Sequence, residues 1–172
     1  NLLMCLGSKV NTYLEVGSAM GATAAAVGVN DIDIHCVDNW SDTIQPQRNN
    51  FALPSNTLEE FKNNTGHINQ LTIHNSDMLT VDLTVLPKID MFFYDGPHDF
   101  ESTKSAVEYY SSVFSDTVLL VFDDANWTEV VKGAEAGVES SGLDIVYNRL
   151  LLNEVEDPQM WWNGLYIMVV KK

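Results

Sequence analysis

The chain has 172 residues and is 45% hydrophobic, enough for one substantial core and too little for two ordinary ones, so a single domain over 1–172 is expected. Its net charge is −15, from 24 acidic against 9 basic residues that stand singly apart from Lys171-Lys172, which excludes nucleic acid and anionic membrane as expected partners. No apolar run approaches the roughly 20 residues of a bilayer span, no secretory signal opens the chain, and Cys5 and Cys36 are too few for a disulfide framework; cytoplasm is the default compartment.

Residues 1–11 are too short for a helical cap over a substrate, and are expected to be the remnant of one or to leave that cover to a partner subunit. Apolar, β-rich runs follow at Thr12-Val16, Ile32-Val37, Gln70-His74, Ile89-Tyr94, Thr117-Phe122, Leu143-Tyr147 and Leu165-Val170. Several are apolar almost throughout, as strands covered on both faces are. Thr57 and Glu60 signal a helix start, with an end at Gly66. Phe100, Val107, Tyr110 and Phe114 form a stripe after Asp99, a predicted N-cap. Trp127, Val130, Val131, Ala134 and Val138 form another after Asn126, with Glu129 three positions on as in a capping box.

This β-α-β-α order predicts an α/β fold, a doubly wound, mostly parallel, Rossmann-like sheet. The last two runs flank a polar segment, Asn153 to Gly164, without helical period. They are expected to form a long hairpin, which places one antiparallel strand near the C-terminus.

Ligands of open α/β sheets bind beyond the carboxyl ends of the strands, near the point where strand order reverses. Those ends carry Gly17-Ser18-Ala19-Met20-Gly21, then Asp38, Asp77, Asp95-Gly96-Pro97-His98, and Asp123-Asp124. The small residues of EVGSAMGAT, Glu15 to Thr23, have two readings: close packing of a helix on a strand, or a ligand lying against bare backbone. The loop is not a dinucleotide fingerprint, because Ala19 stands where that pattern needs glycine. Asp38 is placed to accept hydrogen bonds from a ribose diol. Loop capping is the alternative for both Asp38 and Asp77.

LEVGSAMG, HCVDNW and NSDML resemble motifs of the class I S-adenosylmethionine-dependent methyltransferases. DMFFYDGPHDFESTKSAVEYY and TVLLVFDDANW resemble segments of a bacterial subgroup that includes small-molecule O-methyltransferases and cephalosporin-hydroxylase-type proteins. The resemblance runs from about Thr12 onward and implies a seven-stranded sheet. It further implies that Glu15, Gly17, Ser18 and Gly21 surround the methionine part of S-adenosylmethionine, that Asp38 holds its ribose, and that Asp77 and Met78 face its adenine, with Asp95 also at the cofactor.

Asp95, Asp123 and Asp124 project from adjacent strand ends, and three close carboxylates repel unless a cation or protons compensate. A divalent ion with oxygen ligands is one solution, Mg2+ first and Mn2+ or Ca2+ next. Loop capping by Asp123 beside an exposed Asp124 is the other. His98 is the one histidine expected in this crevice, as general base, as a brace for the Asp95 loop, or as a further metal ligand. His35, His67 and His74 read as strand or surface residues. Trp40 and Trp161-Trp162 fall where a substrate lid would lie, although aromatic residues more often serve a core or a dimer contact.

The expected activity is methyl transfer from S-adenosylmethionine to a small molecule, at oxygen and with assistance from a divalent metal. The rivals are a hydroxylase-type relative with the same fold and metal site, and a non-catalytic nucleotide-binding scaffold. Exposed sheet edges and aromatic loops are compatible with a homodimer.

Overall fold

The structure, a computed structural model, describes residues 2–41, 57–153 and 161–172. Its elements are α1 (Leu2–Gly7), β1 (Thr12–Val16), α2 (Ala22–Val27), β2 (Asp33–Asp38), α3 (Thr57–Thr65), β3 (Leu71–Asn75), β4 (Ile89–Tyr94), α4 (Phe100–Tyr110), β5 (Phe114–Asp123), α5 (Thr128–Ser140), β6 (Asp144–Leu151) and β7 (Leu165–Lys171). The seven strands form one sheet in the order β3-β2-β1-β4-β5-β7-β6. β1 to β5 run parallel to one another, and β7 runs antiparallel to both β5 and β6. The expected fold and closing hairpin are therefore present.

The chain winds outward from β1 to β3 and then returns to the other side of β1 with β4. That reversal opens a crevice at the carboxyl ends of β1 and β4. Both faces of the central strands are covered. Leu14, Val16, Phe92, Tyr94, Leu120 and Phe122 point into the core beneath α4 and α5. Tyr13, Ile34, Cys36, Met91, Phe93 and Val121 point into the core shared with α1, α2 and α3. Successive residues thus alternate between two apolar layers, which is why these strands are apolar throughout. Phe92 is fully buried and packs on Tyr94, Tyr110, Phe114 and Phe122. Burial of a side chain of this size contributes about 1.5–3 kcal/mol.

Capping follows the sequence at one helix and departs from it at another. Asp99 caps α4 by accepting from Ser102 N at 2.9 Å. Asn126 does not cap α5, whose N-cap residue is Trp127 without a side-chain cap bond. The Asn126 side chain instead donates to Asn153 O at 2.7 Å and accepts from Asn153 N at 3.1 Å, because the closing hairpin comes to lie beside it. α4 and α5 pack against each other without glycine-sized gaps. A Cβ on Gly133 would come within 2.6 Å of Phe100 O, and one on Gly137 within 2.7 Å of Val107 Cβ.

α1 buries Leu3 in the core with Ala24 and Val27 of α2, and Asn30 Nδ2 donates to Met4 O at 2.9 Å. The N-terminal segment expected to be the remnant of a cap is a helix packed on α2. Among the described residues no helix is long and apolar enough to cross a membrane.

Candidate functional site

The first loop is stitched between its neighbours. Gly17 N donates to Val37 O at 2.9 Å, and Asp95 N donates to Val16 O at 2.8 Å. Gly17 has φ +88, and a Cβ there would sit 2.0 Å from Asp95 O. A Cβ on Gly21 would meet Phe61 and Thr65 of α3 at 2.8 Å. Protein atoms fill the space beside both glycines, so close packing accounts for them directly. Ala19 takes φ +42, the left-handed conformation that glycine adopts most easily.

A crevice of about 480 Å³ opens above this loop. Of the predicted cofactor residues, Gly17, Asp38, Asp77, Met78 and Asp95 line it, whereas Glu15, Ser18 and Gly21 are not part of its wall. Trp40 and Ala19 line it as well. Asp38 Oδ2 accepts from Ala19 N and Oδ1 from Trp40 N, both at 2.8 Å. Trp40 Nε1 donates to Ala19 O at 2.8 Å, and its ring leans on Phe61 with centroids 5.1 Å apart. Asp38 is thus a loop cap, and each of its oxygens keeps a lone pair for a ligand. Asp77 accepts from Leu79 N at 3.0 Å. Met78 is held from below by Tyr110 Oη, which donates to its carbonyl at 2.6 Å. Trp40 was a lid candidate; among the described residues it is part of the crevice wall. Trp162 is 66% exposed.

Glu15 lies beneath the loop, 1% exposed, and accepts from Tyr13 Oη at 2.6 Å. Burial pushes its carboxyl up to about 8, against the bond from Tyr13. Ser18 Oγ is buried close by and faces the same carboxyl.

The second part of the site is a cluster of Asp95, His98 and Asp124, whose ligand atoms lie within 4.8 Å of one another. His98 Nε2 is 2.6 Å from Asp124 Oδ2 and 3.4 Å from Asp95 Oδ1. Burial opposes a charged His98, but the hydrogen bonds and charges of Asp124 and Asp95 outweigh it and push the pKa up to about 9. The predicted general base is therefore an imidazolium at neutral pH. It supplies the positive charge that the carboxylates need. Burial pushes the Asp95 carboxyl up, against the His98 bond.

Asp123 stands apart from this cluster. Its Oδ1 accepts from Trp161 Nε1 at 2.6 Å and from Asp124 N at 2.7 Å. Burial, then the Asp95 charge, push its carboxyl up to about 7. The candidate metal donors brought together are thus Asp95, His98 and Asp124, with His98 in the place expected for Asp123. Asp124 itself is 4% exposed at φ +57, and Asn163 Nδ2 donates to its Oδ1. Trp161 and Asn163 were not anticipated as partners of these carboxylates. The only signal in the sequence was their place ahead of the last strand.

A family profile described as "Methyltransferase domain" matches residues 14–125, which span β1 to the loop after β5. The chain belongs to this family, and its sheet is that of the class I S-adenosylmethionine-dependent methyltransferases. No curated protein matches the chain significantly in sequence.

Solved structures similar to it include a proposed O-methyltransferase from Klebsiella pneumoniae, with TM-score 0.69, 15% identity, and 99% of this chain and 79% of that one covered. Another is the O-methyltransferase TomG from Streptomyces achromogenes in complex with S-adenosylmethionine, with TM-score 0.68, 13% identity, and 99% and 78% covered. A third is the N-methyltransferase NodS from Bradyrhizobium japonicum WM9, with TM-score 0.65, 16% identity, and 99% and 92% covered. At these identities the likeness is one of fold.

Proposed function

We propose that the chain binds S-adenosylmethionine in the crevice at the ends of β1, β2 and β4 and transfers its methyl group to an oxygen of a small-molecule acceptor near Asp95 and His98. The observation that carries this reading is the charge of the crevice wall. Asp38, Asp77 and Asp95 line it, and no Lys or Arg does among the described residues. A sulfonium ligand with net positive charge suits such a wall, whereas the phosphates of a nicotinamide or adenine nucleotide would be repelled.

The residues present fit the cofactor. The free lone pairs of Asp38 suit a ribose diol, and Met78 and Trp40 offer apolar surface to a base. When bound, S-adenosylmethionine supplies an activated methyl group, so the protein's share is alignment and removal of the acceptor proton. With His98 protonated at neutral pH, Asp95 is the group that takes this proton, and the imidazolium steadies the carboxylate beside it.

A second reading rests on the same cluster. Asp95, His98 and Asp124 join two carboxylates to an imidazole, a donor set that suits Mn2+ as well as Mg2+. An ion held there would supply Lewis acidity to the acceptor oxygen in place of the histidine proton.

Calorimetric titration of S-adenosylmethionine, and separately of NADH, tests the cofactor, each with Mg2+ and with EDTA. Saturable binding of S-adenosylmethionine alone is expected. Failure to bind from folded protein would end the methyltransferase reading and bring forward a scaffold role. Acceptor screening with and without Mg2+ or Mn2+ then decides between the proton and the ion.

A further inference from the structure

Among the described residues β6 is an outer strand of the sheet and pairs only with β7. Every residue from Asp144 to Leu150 is exposed. Ile145, Val146, Tyr147 and Leu150 are 41%, 52%, 56% and 40% exposed, respectively. Proteins ordinarily protect such an edge with charge, proline or a covering element. β6 contains no proline, and its only charges are Asp144 and Arg149, neither with an ion-pair partner among the described residues.

We propose that β6 pairs antiparallel with β6 of a second copy of this chain, about a two-fold axis between Val146 and Tyr147, so that two sheets join into one. Two independent conditions select this register. The first is geometric, because residues opposite each other in an antiparallel pair must share a face. Asp144, Tyr147, Arg149 and Leu151 lie opposite Lys171, Val169, Ile167 and Leu165, whereas Ile145, Asn148 and Leu150 lie opposite Val170, Met168 and Tyr166. These two sets occupy the two faces.

The extra residue between Ile145 and Tyr147 reverses the alternation along the strand. In consequence Asp144 can face Arg149 of the second copy and Ile145 can face Asn148, each of these pairs on a common face, while Val146, the extra residue without a partner in β7, falls opposite Tyr147. Sliding by two residues puts Asp144 opposite Leu151 and forces Tyr147 opposite Asn148, which lie on different faces. Sliding the other way leaves too few pairs. Registers confined to the residues beyond the bulge are short, and the one centred there sets Arg149 against its own copy.

The second condition is charge. The register chosen by the faces also brings Asp144 opposite Arg149, twice by symmetry, and unlike charges directly opposite stabilise a strand pair where like charges destabilise it. Val146 and Tyr147, the two most exposed apolar residues of the strand, meet at the axis. The contact is isologous and closes on itself, so it ends at a dimer.

Sedimentation velocity on the full chain from about 1 to 100 μM tests the proposal. A dimer is expected, which Arg149→Asp weakens about tenfold or more because both pairs become like-charged. The double variant Asp144→Arg/Arg149→Asp is expected to return the dissociation constant to within about threefold of the original. Circular dichroism verifies that each variant is folded. A monomer throughout the range, a dimer indifferent to Arg149→Asp, or a double variant that fails to recover would each overturn the proposal. Hydrogen exchange gives a second reading: added protection over Asp144 to Leu150 at high concentration supports the paired edge, and protection elsewhere overturns it.

Discussion

His98 Nε2 and Asp124 Oδ2 lie 2.6 Å apart, and this contact makes the histidine a cation under conditions where free imidazole is mostly neutral. Asp124 is held from its other side by Asn163, so the pair is braced and does not depend on a mobile side chain. The fourth and fifth strand ends therefore carry their own counter-charge.

Asp124→Asn should remove most of this effect. The His98 pKa, about 9 in the folded chain, is expected to fall by more than one unit toward the ordinary value of about 6.5. Titration of the imidazole protons by NMR measures it. A raised folded-state pKa means that His98 stabilises the fold fully below about pH 6.5 and ceases to do so as the pH rises through about 9. An unmoved pKa in the variant would show that Asp124 is not the main partner.

Glu15 gives a second dependence of the same sign over a lower range. Its carboxyl titrates near 8 when folded and near 4.5 when unfolded, so the unfolded chain holds fewer protons between those values. Stability contributed by neutral Glu15 is complete below about pH 4.5 and is lost as the pH passes through about 8, an effect of order several kcal/mol for a fully buried group. Glu15→Gln keeps an acceptor for Tyr13 and cannot ionise. Urea denaturation at pH 5 and pH 8 should show a smaller difference for the variant than for the parent; equal differences would refute the assignment.

Gly17→Ala and Gly142→Ala form a matched test of the first loop. Both positions have positive φ, at +88 and +67, but a Cβ on Gly142 meets nothing within 4 Å, whereas one on Gly17 collides with Asp95 O. The Gly142 variant should lose about 1–2 kcal/mol, the cost of a left-handed residue. Gly17→Ala should lose distinctly more, roughly 3 kcal/mol or above, and calorimetric melting separates the two.

Trp161→Phe keeps the ring against Phe93 and removes the donor to Asp123 Oδ1. The expected loss is about 1–3 kcal/mol. It should be larger at pH 8 than at pH 5, because Asp123, at about 7 in the parent, most needs the donor when ionised. Denaturation at the two pH values checks the direction.

Asp38→Asn tests the proposed cofactor through charge. S-adenosylmethionine carries one more positive charge than S-adenosylhomocysteine, so removal of a wall carboxylate should weaken the first by about fivefold or more and the second by less. Calorimetry with both ligands shows whether the acidic wall discriminates. Equal losses would assign Asp38 to loop structure alone.

The strands were legible because each carries its own signal. Phe92 and Phe93 point into opposite cores, so β4 needed apolar residues at consecutive positions. Asp99 was legible as a cap because its acceptor bond closes within three residues. Asn126 has the same local pattern, yet its side chain serves Asn153, 27 residues away. The charge state of His98 was hidden for the same reason. It depends on Asp124 from another strand end, which Asn163 holds in turn. α4 ends at Tyr110 and β5 begins at Phe114, ahead of the expected Thr117, so Phe114, read from the sequence as part of the helical stripe, is the first residue of the strand, where it packs on Phe92.

The absence of side chains at Gly133 and Gly137 reaches farther than the contact it creates. α4 starts directly after the His98 loop and α5 shortly after Asp124, so the separation of these two helix axes sets where each loop departs. A methyl group at either glycine would push the axes apart, and the loops would carry that displacement to the imidazole and the carboxylate. The tolerance of an ion pair in the crevice is thereby fixed on the face of α5 that packs against α4, at positions that touch neither partner, and a search for activity-altering substitutions confined to the crevice would miss them.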